Sequence, residues 1–413
     1  MRREVPGENI WILFPVHFFL LVLFACSDSS TSSPDVPEDS APFGWLEGGF
    51  TPVTDFSRGG GLQKIAHSGD RIVLEDAWTG PVDSGDALFD NSTYTPRLFI
   101  SKIGSDSWDT IKPPTKSNIK SLYADSTGIF VGTYVSGELW KYQISGEWIN
   151  LEPYQLKENE GYNIFGISNL DGNLFVSMSG YHDRSVQVYD SIRVLLLFLS
   201  DSGWINTAPK DFDGYIKAQF HKGVSLKNQF YSATTYGIWS WNAQTGRWMQ
   251  LPKFPEPQSW STQVVNDLVA HKGKLYALVS DRVYYFDESA EDWISIDSLR
   301  LDGDTTGYNY RLISNVPYPA KCLASDGTHL FVAGGDGIPY VYMGDYGEPY
   351  GNIPKGWRKV GSWCKNFNCL DGGGTTYSMD VIGDTLYVAN WKNLLKFPLD
   401  KLDSAIANEK DFW

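Results

Sequence analysis

The side chains best suited to chemistry lie in long segments between short apolar runs, where aromatic rings alternate with carboxylates. The aromatic members of this set are Trp78, Tyr94, Tyr181, Tyr236, Trp260, Tyr308, Tyr310, Trp363 and Trp391. The acidic members are Asp83, Asp86, Asp183, Asp302 and Asp371. Aromatic rings stack on the C–H faces of sugars while polar groups bind the hydroxyls, and such rings also dominate protein–protein contacts. These residues predict a binding surface for a glycan or a partner protein; the alternative is long loops that fold on their own aromatic residues without a ligand.

Two of these carboxylates allow an enzymatic alternative. Asp183 and Asp302 would act as acid and base on a polysaccharide if they lay within about 5–10 Å of each other in one cleft. Motifs of other catalytic classes are absent: the sequence has no HExxH, no GxSxG, no P-loop and no GxGxxG after a strand. The sequence therefore favours binding over catalysis.

The acidic segment LDGDTTGYN resembles a calcium-binding loop. Asp302, Asp304 and Thr306 match its first, third and fifth positions, and Gly307 matches the glycine of its sharp turn. Ile313 stands where such loops carry a bidentate Glu, so a plain acidic loop is the expectation and calcium the alternative. No other cofactor is indicated.

The N-terminus reads as an export signal. Arg2 and Arg3 precede an apolar run, Ile10–Ala25, which is short for a membrane span. The run ends in Leu-Phe-Ala-Cys26, which resembles the lipobox of bacterial lipoproteins. The resemblance implies that residues 1–25 are a lipoprotein signal peptide and that Cys26 becomes the lipidated N-terminus, with diacylglycerol on its thiol and a fatty acyl chain such as palmitate on its amino group. The alternative is an ordinary secretory signal with a chance cysteine.

Residues 26–42 are rich in Ser and Pro and hold almost no apolar side chains, so they predict a disordered tether. Ser27 after the lipidated cysteine, by analogy with enterobacterial lipoproteins, favours the outer membrane or cell surface over the inner membrane. A structural role in an envelope complex is therefore a third alternative to binding and catalysis.

Charge and cysteine usage fit that placement. The net charge is −15, which argues against nucleic-acid binding and leaves the lipid as the membrane contact. In an oxidising compartment, Cys364 and Cys369 could form a small disulfide loop and leave Cys322 as a buried thiol, although pairing of Cys322 with either remains open. We expect a monomer.

A repeating pattern organises the rest of the chain. A motif that contains a tryptophan recurs at Trp108, Trp148, Trp204, Trp248, Trp293 and Trp357. Residues 271–296, HKGKLYALVSDRVYYFDESAEDWISI, show the alternation and regular turns of short antiparallel strands. Inner-strand patterns begin seven times, near residues 62, 119, 164, 217, 265, 320 and 376. This spacing predicts an all-β fold over residues 43–413, a seven-bladed β-propeller of four-stranded antiparallel blades with the tryptophans in the blade core.

The repeats resemble those of kelch-type propellers. Phe286-Asp287 before Trp293, and Trp241-Asn242 before Trp248, match the kelch interval between an aromatic–Asp pair and a Trp. Gly334-Gly335 matches the kelch diglycine, which most copies here lack. The resemblance covers residues 45–413 and implies a kelch-like propeller.

The seventh copy lacks its own tryptophan strand, and an open ring would leave an unpaired sheet edge. Two segments could supply that strand: FGWLEGG, residues 43–49, or the C-terminal end at Trp413. Trp45 is followed by further residues that can form a strand, whereas Trp413 ends the chain. The sequence therefore predicts closure by an N-terminal strand that contains Trp45.

The same alignment predicts which residues line the central channel and which face binds. Each inner strand has one apolar residue at an equivalent position of the repeat, such as Ile65 or Leu122, and we call it the apolar anchor. The residues immediately before the anchors form a polar ring without a carboxylate pair: Lys64, Ser121, Gly166, Gln219, Asp267, Cys322 and Ser378. The long segments all precede inner strands or join second and third strands, so they open on one face, the long-loop face. That face is the predicted binding surface.

Overall fold

The structure is a computed structural model, and it describes sixteen segments of the chain. These are residues 51–55, 60–78, 96–105, 107–134, 136–156, 160–170, 172–181, 192–209, 219–255, 264–279, 282–296, 321–333, 339–342, 357–360, 376–390 and 393–402. Within them, no helix is long and apolar enough to cross a membrane.

The described strands form seven four-stranded antiparallel sheets, which confirms the predicted all-β propeller. The strands are given from the inner edge of each blade outward. Blade one contains β2 (Gly60–Ser68), β3 (Arg71–Trp78), β4 (Arg97–Lys102) and β5 (Asp109–Ile111), and blade two contains β6 (Ile119–Asp125), β7 (Gly128–Thr133), β8 (Leu139–Gln143) and β9 (Trp148–Asn150). Blade three contains β10 (Gly161–Leu170), β11 (Asn173–Tyr181), β12 (Ile192–Ser200) and β13 (Gly203–Asn206). Those of the next three are β14 (Phe220–Leu226), β15 (Gln229–Thr234), β16 (Gly237–Asn242) and β17 (Arg247–Gln250); β18 (Val265–His271), β19 (Lys274–Val279), β20 (Arg282–Asp287) and β21 (Asp292–Ser295); and β22 (Cys322–Ser325), β23 (Leu330–Ala333), β24 (Tyr340–Tyr342) and β25 (Trp357–Lys359). The seventh blade contains β26 (Thr376–Ile382), β27 (Thr385–Asn390), β28 (Asn393–Pro398) and β1 (Thr51–Asp55), and a short 3-10 turn, Leu399–Lys401, follows β28.

The apolar core is divided among the seven junctions between blades. Each buried cluster draws its residues from two neighbouring blades, as where Phe331 of blade six packs in one cluster with Phe397 of blade seven. The second strand of a blade is buried along nearly its whole length, as in the GIFVGT of β7. Outer strands such as β5 are largely exposed and show little alternation between buried and exposed side chains. A four-stranded blade cannot cover both of its faces alone, so each blade is stable only between two others.

The recurring tryptophan begins the outer strand, as the repeat predicts. In blade five, Trp293 lies opposite Phe286 across the β20–β21 hairpin with ring centroids 5.1 Å apart. Blade four repeats the pair with Trp248 and Trp241 at 5.4 Å. The kelch-like interval is thus a cross-strand aromatic pair. The diglycine Gly334-Gly335 lies outside the described residues.

The indole of this tryptophan also joins neighbouring blades. Nε1 of Trp293 donates a hydrogen bond to the carbonyl of Pro252, and Nε1 of Trp204 donates to the carbonyl of Leu151. Both acceptors follow the outer strand of the preceding blade. Trp204 and Trp293 therefore pack at the blade junctions, as predicted, and each adds a directional contact there.

The ring is closed by an N-terminal strand, as predicted, but the closing segment is β1. This strand pairs antiparallel with β28, with Thr51 opposite Lys396 and Asp55 opposite Asn393. The sequence argument required a tryptophan and chose FGWLEGG; β1 reads TPVTD and contains none. Closure depends on backbone pairing along β28, which any extended segment of the right reach can supply. FGWLEGG and Trp413 lie outside the described residues.

In blade four, the register of the inner strand differs from the one predicted from the sequence. Its first hairpin turns at Lys227-Asn228, both with positive φ, 51° and 62°, as a two-residue turn of the kind that joins tight hairpins. The HKG of residues 221–223 therefore lies inside β14 and does not form the turn. This register places Lys222 at the channel position that the sequence assigned to Gln219.

Candidate functional site

The predicted long-loop face exists as an end of the ring, since inner strands begin there and the turns between second and third strands return there. Of the predicted ligand-binding residues, Tyr236 is fully described: it lies in the β15–β16 turn and packs half-buried against the cluster around Phe230 and Trp248. Trp78 and Tyr181 end β3 and β11 at the same face, and their side chains are not described. The candidates that lie outside the described residues are Tyr94, Trp260, Tyr308, Tyr310, Trp363 and Trp391.

The other predicted sites mostly lie outside the described residues as well. They are Cys26, the possible disulfide pair Cys364 and Cys369, the calcium candidates Asp302, Asp304 and Thr306, and the acid–base candidate Asp183. Among the described residues, no group of three His, Cys, Asp or Glu side chains could hold a metal ion. Cys322 is a free, buried thiol, and burial followed by the nearby Asp267 charge raises its pKa.

A central channel of about 920 Å³ runs between the inner strands of all seven blades. Near the long-loop face, a β-bulge interrupts six of the seven inner strands. A bulge puts one extra residue opposite its partner strand and redirects side chains there. The residues at or equivalent to the bulge that line the channel are Lys120, Phe165, His221, Asn266, Lys321 and Tyr377. We call this set the bulge ring.

The bulge ring continues outward into an aromatic and basic cluster across blades two to four. The Nζ of Lys120 lies 4.9 Å from the ring centroid of Phe165 and 5.9 Å from that of Tyr134. Phe165 meets His221 edge-on at 6.0 Å. Tyr134, in the turn after β7, is 46% exposed and forms the rim of the cluster on the long-loop face. We call these four residues the rim cluster.

The electrostatics of the rim cluster are set by enclosure and by like charges. Burial, then the neighbouring Lys64 ammonium, lowers the pKa of Lys120. Burial, then the Lys120 charge, lowers the pKa of His221 to about 4, so its imidazole is neutral at pH 7. Among the described residues, no carboxylate lies within ion-pair distance of Lys120. The cluster therefore presents the exposed ring of Tyr134 to the solvent of the long-loop face, with the half-buried Lys120 ammonium, the neutral imidazole of His221 and the buried ring of Phe165 behind it.

Behind the bulge ring, the predicted polar ring ties neighbouring blades together. Lys222 forms an ion pair with Asp267 at 2.6 Å, and the other carboxylate oxygen accepts the backbone N–H of Leu323 at 2.7 Å. The Oγ of Ser121 donates to the carbonyl of Ile164 in the next blade at 2.8 Å. One buried carboxylate thus links blades four, five and six, so this layer positions the channel walls.

Two histidines lie at the other end of inner strands β2 and β18, and their pKa values are shifted in opposite directions. His67 pairs with Asp380 across blades one and seven at 2.7 Å, and this hydrogen bond raises the pKa of His67 against an opposing burial effect. His271 is 4% exposed and bonds the hydroxyl of Ser325 at 2.9 Å. Burial, then the Lys272 charge, lowers the pKa of His271 to about 4.

His271 makes a testable contribution to acid unfolding. Its folded pKa of about 4 lies below its usual value of 6.5, so in this interval the unfolded chain binds a proton that the folded chain does not. The stabilisation is fully present above pH 6.5 and is lost as the pH falls towards 4. We expect His271→Gln to show a shallower loss of unfolding free energy across that interval, measured by urea denaturation.

His67→Gln is the matched control, because its pKa shift has the opposite sign. The stabilisation from His67 is complete below its unfolded pKa of about 6.5 and is lost as the pH rises through the higher folded value. We expect this variant to keep the slope between pH 4 and 6.5 and to flatten the profile above it. Equal slopes for wild type and His271→Gln would contradict the assignment.

The rim cluster was missed by sequence reasoning, which took the residue before each apolar anchor as channel lining. That choice gave Lys64, Asp267 and Cys322 correctly, but the bulge brings the residue one place earlier into the channel as well. A usable signal was present. The residues two places before the anchors include Lys120, Phe165 and Tyr377, which are larger than a tightly packed inner strand normally accommodates.

Chemically, the described channel is equipped for binding. Its two carboxylates, Asp267 and Asp380, are each held in an ion pair on different blades, and they lie at different depths of the inner strands. The rim cluster offers the exposed ring of Tyr134 and an ammonium group that has no ion-paired carboxylate among the described residues. These are groups that recognise a ligand and hold it in place.

Comparison with known proteins places the fold. No protein-family model matches the sequence, and no curated protein sequence matches it. The chain is similar to the extracellular domain of a proposed hybrid two-component system from B. thetaiotaomicron, with 11% identity and a TM-score of 0.55 over 86% of this chain and 41% of that one. It is also similar to the extracellular domain of a proposed one-component system from the same organism, with 13% identity and a TM-score of 0.52 over 84% and 40%. The chain thus spans about 40% of the length of these neighbours and shares their fold, the seven-bladed all-β propeller.

Proposed function

We propose that this chain is a lipid-anchored, extracytoplasmic β-propeller that binds a glycan through its long-loop face. The observation that carries the proposal is the rim cluster, in which the exposed ring of Tyr134 lies beside Lys120 at the mouth of a channel of about 920 Å³. Sugar-binding sites combine apolar ring faces with a few placed polar groups, and this mouth has both.

The exported location is supported by the sequence and by the neighbours. The apolar run and Cys26 predict lipoprotein processing, and residues 26–42 predict a tether. Both B. thetaiotaomicron neighbours are extracellular domains. The first described strand after the predicted tether, β1, is the outer strand of blade seven.

A glycan array tests the ligand class. The full-length chain, purified in detergent, is screened against neutral and acidic oligosaccharides, with Tyr134→Ala as the site variant. We expect binding that Tyr134→Ala weakens by about tenfold, since stacking on an exposed ring contributes about 1 kcal/mol or more. Ile205→Ala, an exposed apolar residue on an outer strand, is the matched control. No binding across the array would remove the glycan proposal and leave a partner protein as the ligand.

The anchor is tested separately. We expect Cys26→Ala to abolish metabolic labelling with a palmitate analogue in a bacterial host and to release the protein from the membrane fraction, because the acylated residue is lost. Cys322→Ala, which removes a buried thiol, should leave the labelling unchanged. Labelling that survives Cys26→Ala would show that the anchor is elsewhere.

A polysaccharide-active enzyme remains the second candidate, and it depends on Asp183 and Asp302. Both lie outside the described residues, so the described structure gives no distance between their carboxylates. Incubation of any glycan that binds with wild type and with Asp183→Asn tests this candidate. New reducing ends that disappear in the variant would favour the enzyme.

A further inference from the structure

The charge on the channel wall is opposite to that of the whole chain. The net charge of the protein is −15, yet among the described residues that line the channel there are four lysines, Lys64, Lys120, Lys222 and Lys321, against two aspartates. Ammonium groups concentrated in an enclosed space with protein walls produce a local positive potential, since the field is focused and weakly screened there. The channel mouth is therefore positive although the whole protein is negative, and it would attract an anionic ligand.

Local pairing divides these lysines into two sets. Lys64 pairs with the buried carboxylate of Glu75, and Lys222 pairs with Asp267. Lys120 and Lys321 have no carboxylate within ion-pair distance among the described residues. Both belong to the bulge ring and so lie nearer the long-loop face than the paired lysines.

Lys120 is held in a costly arrangement that an anion would relieve. Its ammonium is half-buried against Phe165 and close enough to Lys64 for the two charges to repel. The Glu75 carboxylate, which pairs with Lys64, attracts the Lys120 ammonium only from beyond ion-pair distance. A ligand carboxylate beside Lys120 would add the direct ion pair that the described residues lack, and a hydrogen bond between charged partners is about twice as strong as a neutral one. The neutral imidazole of His221 adjoins the same space and can bond a hydroxyl without competing for the anion.

We propose that the channel mouth binds an acidic sugar, with a uronate carboxylate against Lys120 and the sugar ring against the exposed ring of Tyr134. This inference rests on the proposed glycan-binding function and names its substrate class. The acidic exterior repels a polyanion along its length, so the structure favours the terminal residue of a chain entering the mouth over a long acidic strand lying across the face.

The test measures affinity by calorimetry with full-length protein and four variants. The probes are a galacturonate trisaccharide, a neutral galactose trisaccharide, inorganic sulfate and an acidic hexapeptide. We expect the galacturonate probe to bind, to weaken as NaCl rises, and to lose about tenfold or more in affinity with Lys120→Gln. Lys120→Arg should retain most of the affinity because it keeps the charge, which separates an electrostatic role from a packing role.

Lys141→Gln is the matched control. Lys141 also lies over an aromatic ring, Phe130 at 5.2 Å, but on β8 of the same blade, outside the channel lining. This variant should bind the galacturonate probe as wild type does. Far-UV circular dichroism checks that each variant is folded, and Tyr134→Ala, at the exposed edge of the same cluster, provides an independent variant if Lys120→Gln does not fold.

The outcomes separate this inference from the proposed function. Equal binding of the neutral probe by wild type and Lys120→Gln, with no preference for galacturonate, would overturn the acidic-sugar site and leave glycan binding intact. Displacement of galacturonate by sulfate at equal concentration would overturn the uronate assignment in favour of a general anion site. Binding of an acidic hexapeptide in preference to both sugars would overturn it in favour of a protein partner.

Discussion

Deletion of Thr51–Asp55 is expected to abolish cooperative folding of the whole propeller. These residues form β1, the outer strand of the seventh blade, and they come from the opposite end of the chain to β26, β27 and β28. Without them, β28 becomes an open edge with unpaired backbone groups. The deletion also removes the pairing that connects the N-terminal part of the chain to blade seven. We therefore expect the junctions of blade seven with blades one and six to weaken together. The effect should approach the whole stability of a domain, about 5–15 kcal/mol.

Three further deletions locate the closing segment. Removal of the five tether residues Ser29–Ser33 should leave stability unchanged. Removal of residues 43–49, FGWLEGG, should cost much less than removal of Thr51–Asp55, and trimming Lys410–Trp413 should matter little. Thermal unfolding followed by far-UV circular dichroism measures all four. If the deletion of residues 43–49 unfolds the protein while that of Thr51–Asp55 does not, the closing strand has been wrongly assigned.

Trp293→Ala is expected to destabilise the propeller by about 3–5 kcal/mol. The side chain is 2% exposed in the junction between blades four and five. Its ring centroid lies 4.6 Å from that of Phe254 and 5.1 Å from that of Phe286, and its indole N–H donates to the Pro252 carbonyl at 2.9 Å. Truncation would leave a cavity and an unpaired carbonyl at the same junction.

The neighbouring residue gives a matched control. Ile294 is 37% exposed on the other face of the same strand, so Ile294→Ala should cost less than about 1 kcal/mol. Trp293→Phe keeps much of the ring and loses the hydrogen bond, so it should cost an intermediate amount, about 1–3 kcal/mol. Urea denaturation followed by circular dichroism gives these values. A loss below 1 kcal/mol for Trp293→Ala would contradict a role in the junction.

Predictions from sequence succeeded where the signal is local. The hairpin from β20 to β21 is a run of consecutive residues, so the interval from Phe286 to Trp293 by itself determines which side chains face each other. Counting such hairpins gives seven blades. The same reasoning assigned the channel position of blade four to Gln219 instead of Lys222, because HKG at residues 221–223 looks like the HKG at residues 271–273, where the first hairpin of blade five turns.

The site was harder to predict because its residues are neighbours only across blades. Lys120, Phe165 and His221 belong to three different inner strands. Each strand contains a bulge that changes which side chains face the channel, and a one-residue change of register exchanges the two faces of a strand. The loop aromatics that sequence reasoning favoured lie mostly outside the described residues, so they stay predictions beside the rim cluster.

The sequence by itself determined the four-stranded repeat, the number of blades and the tryptophan at the start of the outer strand in blades one to six, because turn residues and two-residue alternation act within a single hairpin. The tertiary structure decided which segment closes the ring and which side chains share the channel. TPVTD has no pattern that marks it as a blade strand; it is one because the free edge of β28 lies beside it. Lys222 meets Asp267, and Lys120 meets Phe165, because ring geometry brings successive inner strands together around one axis.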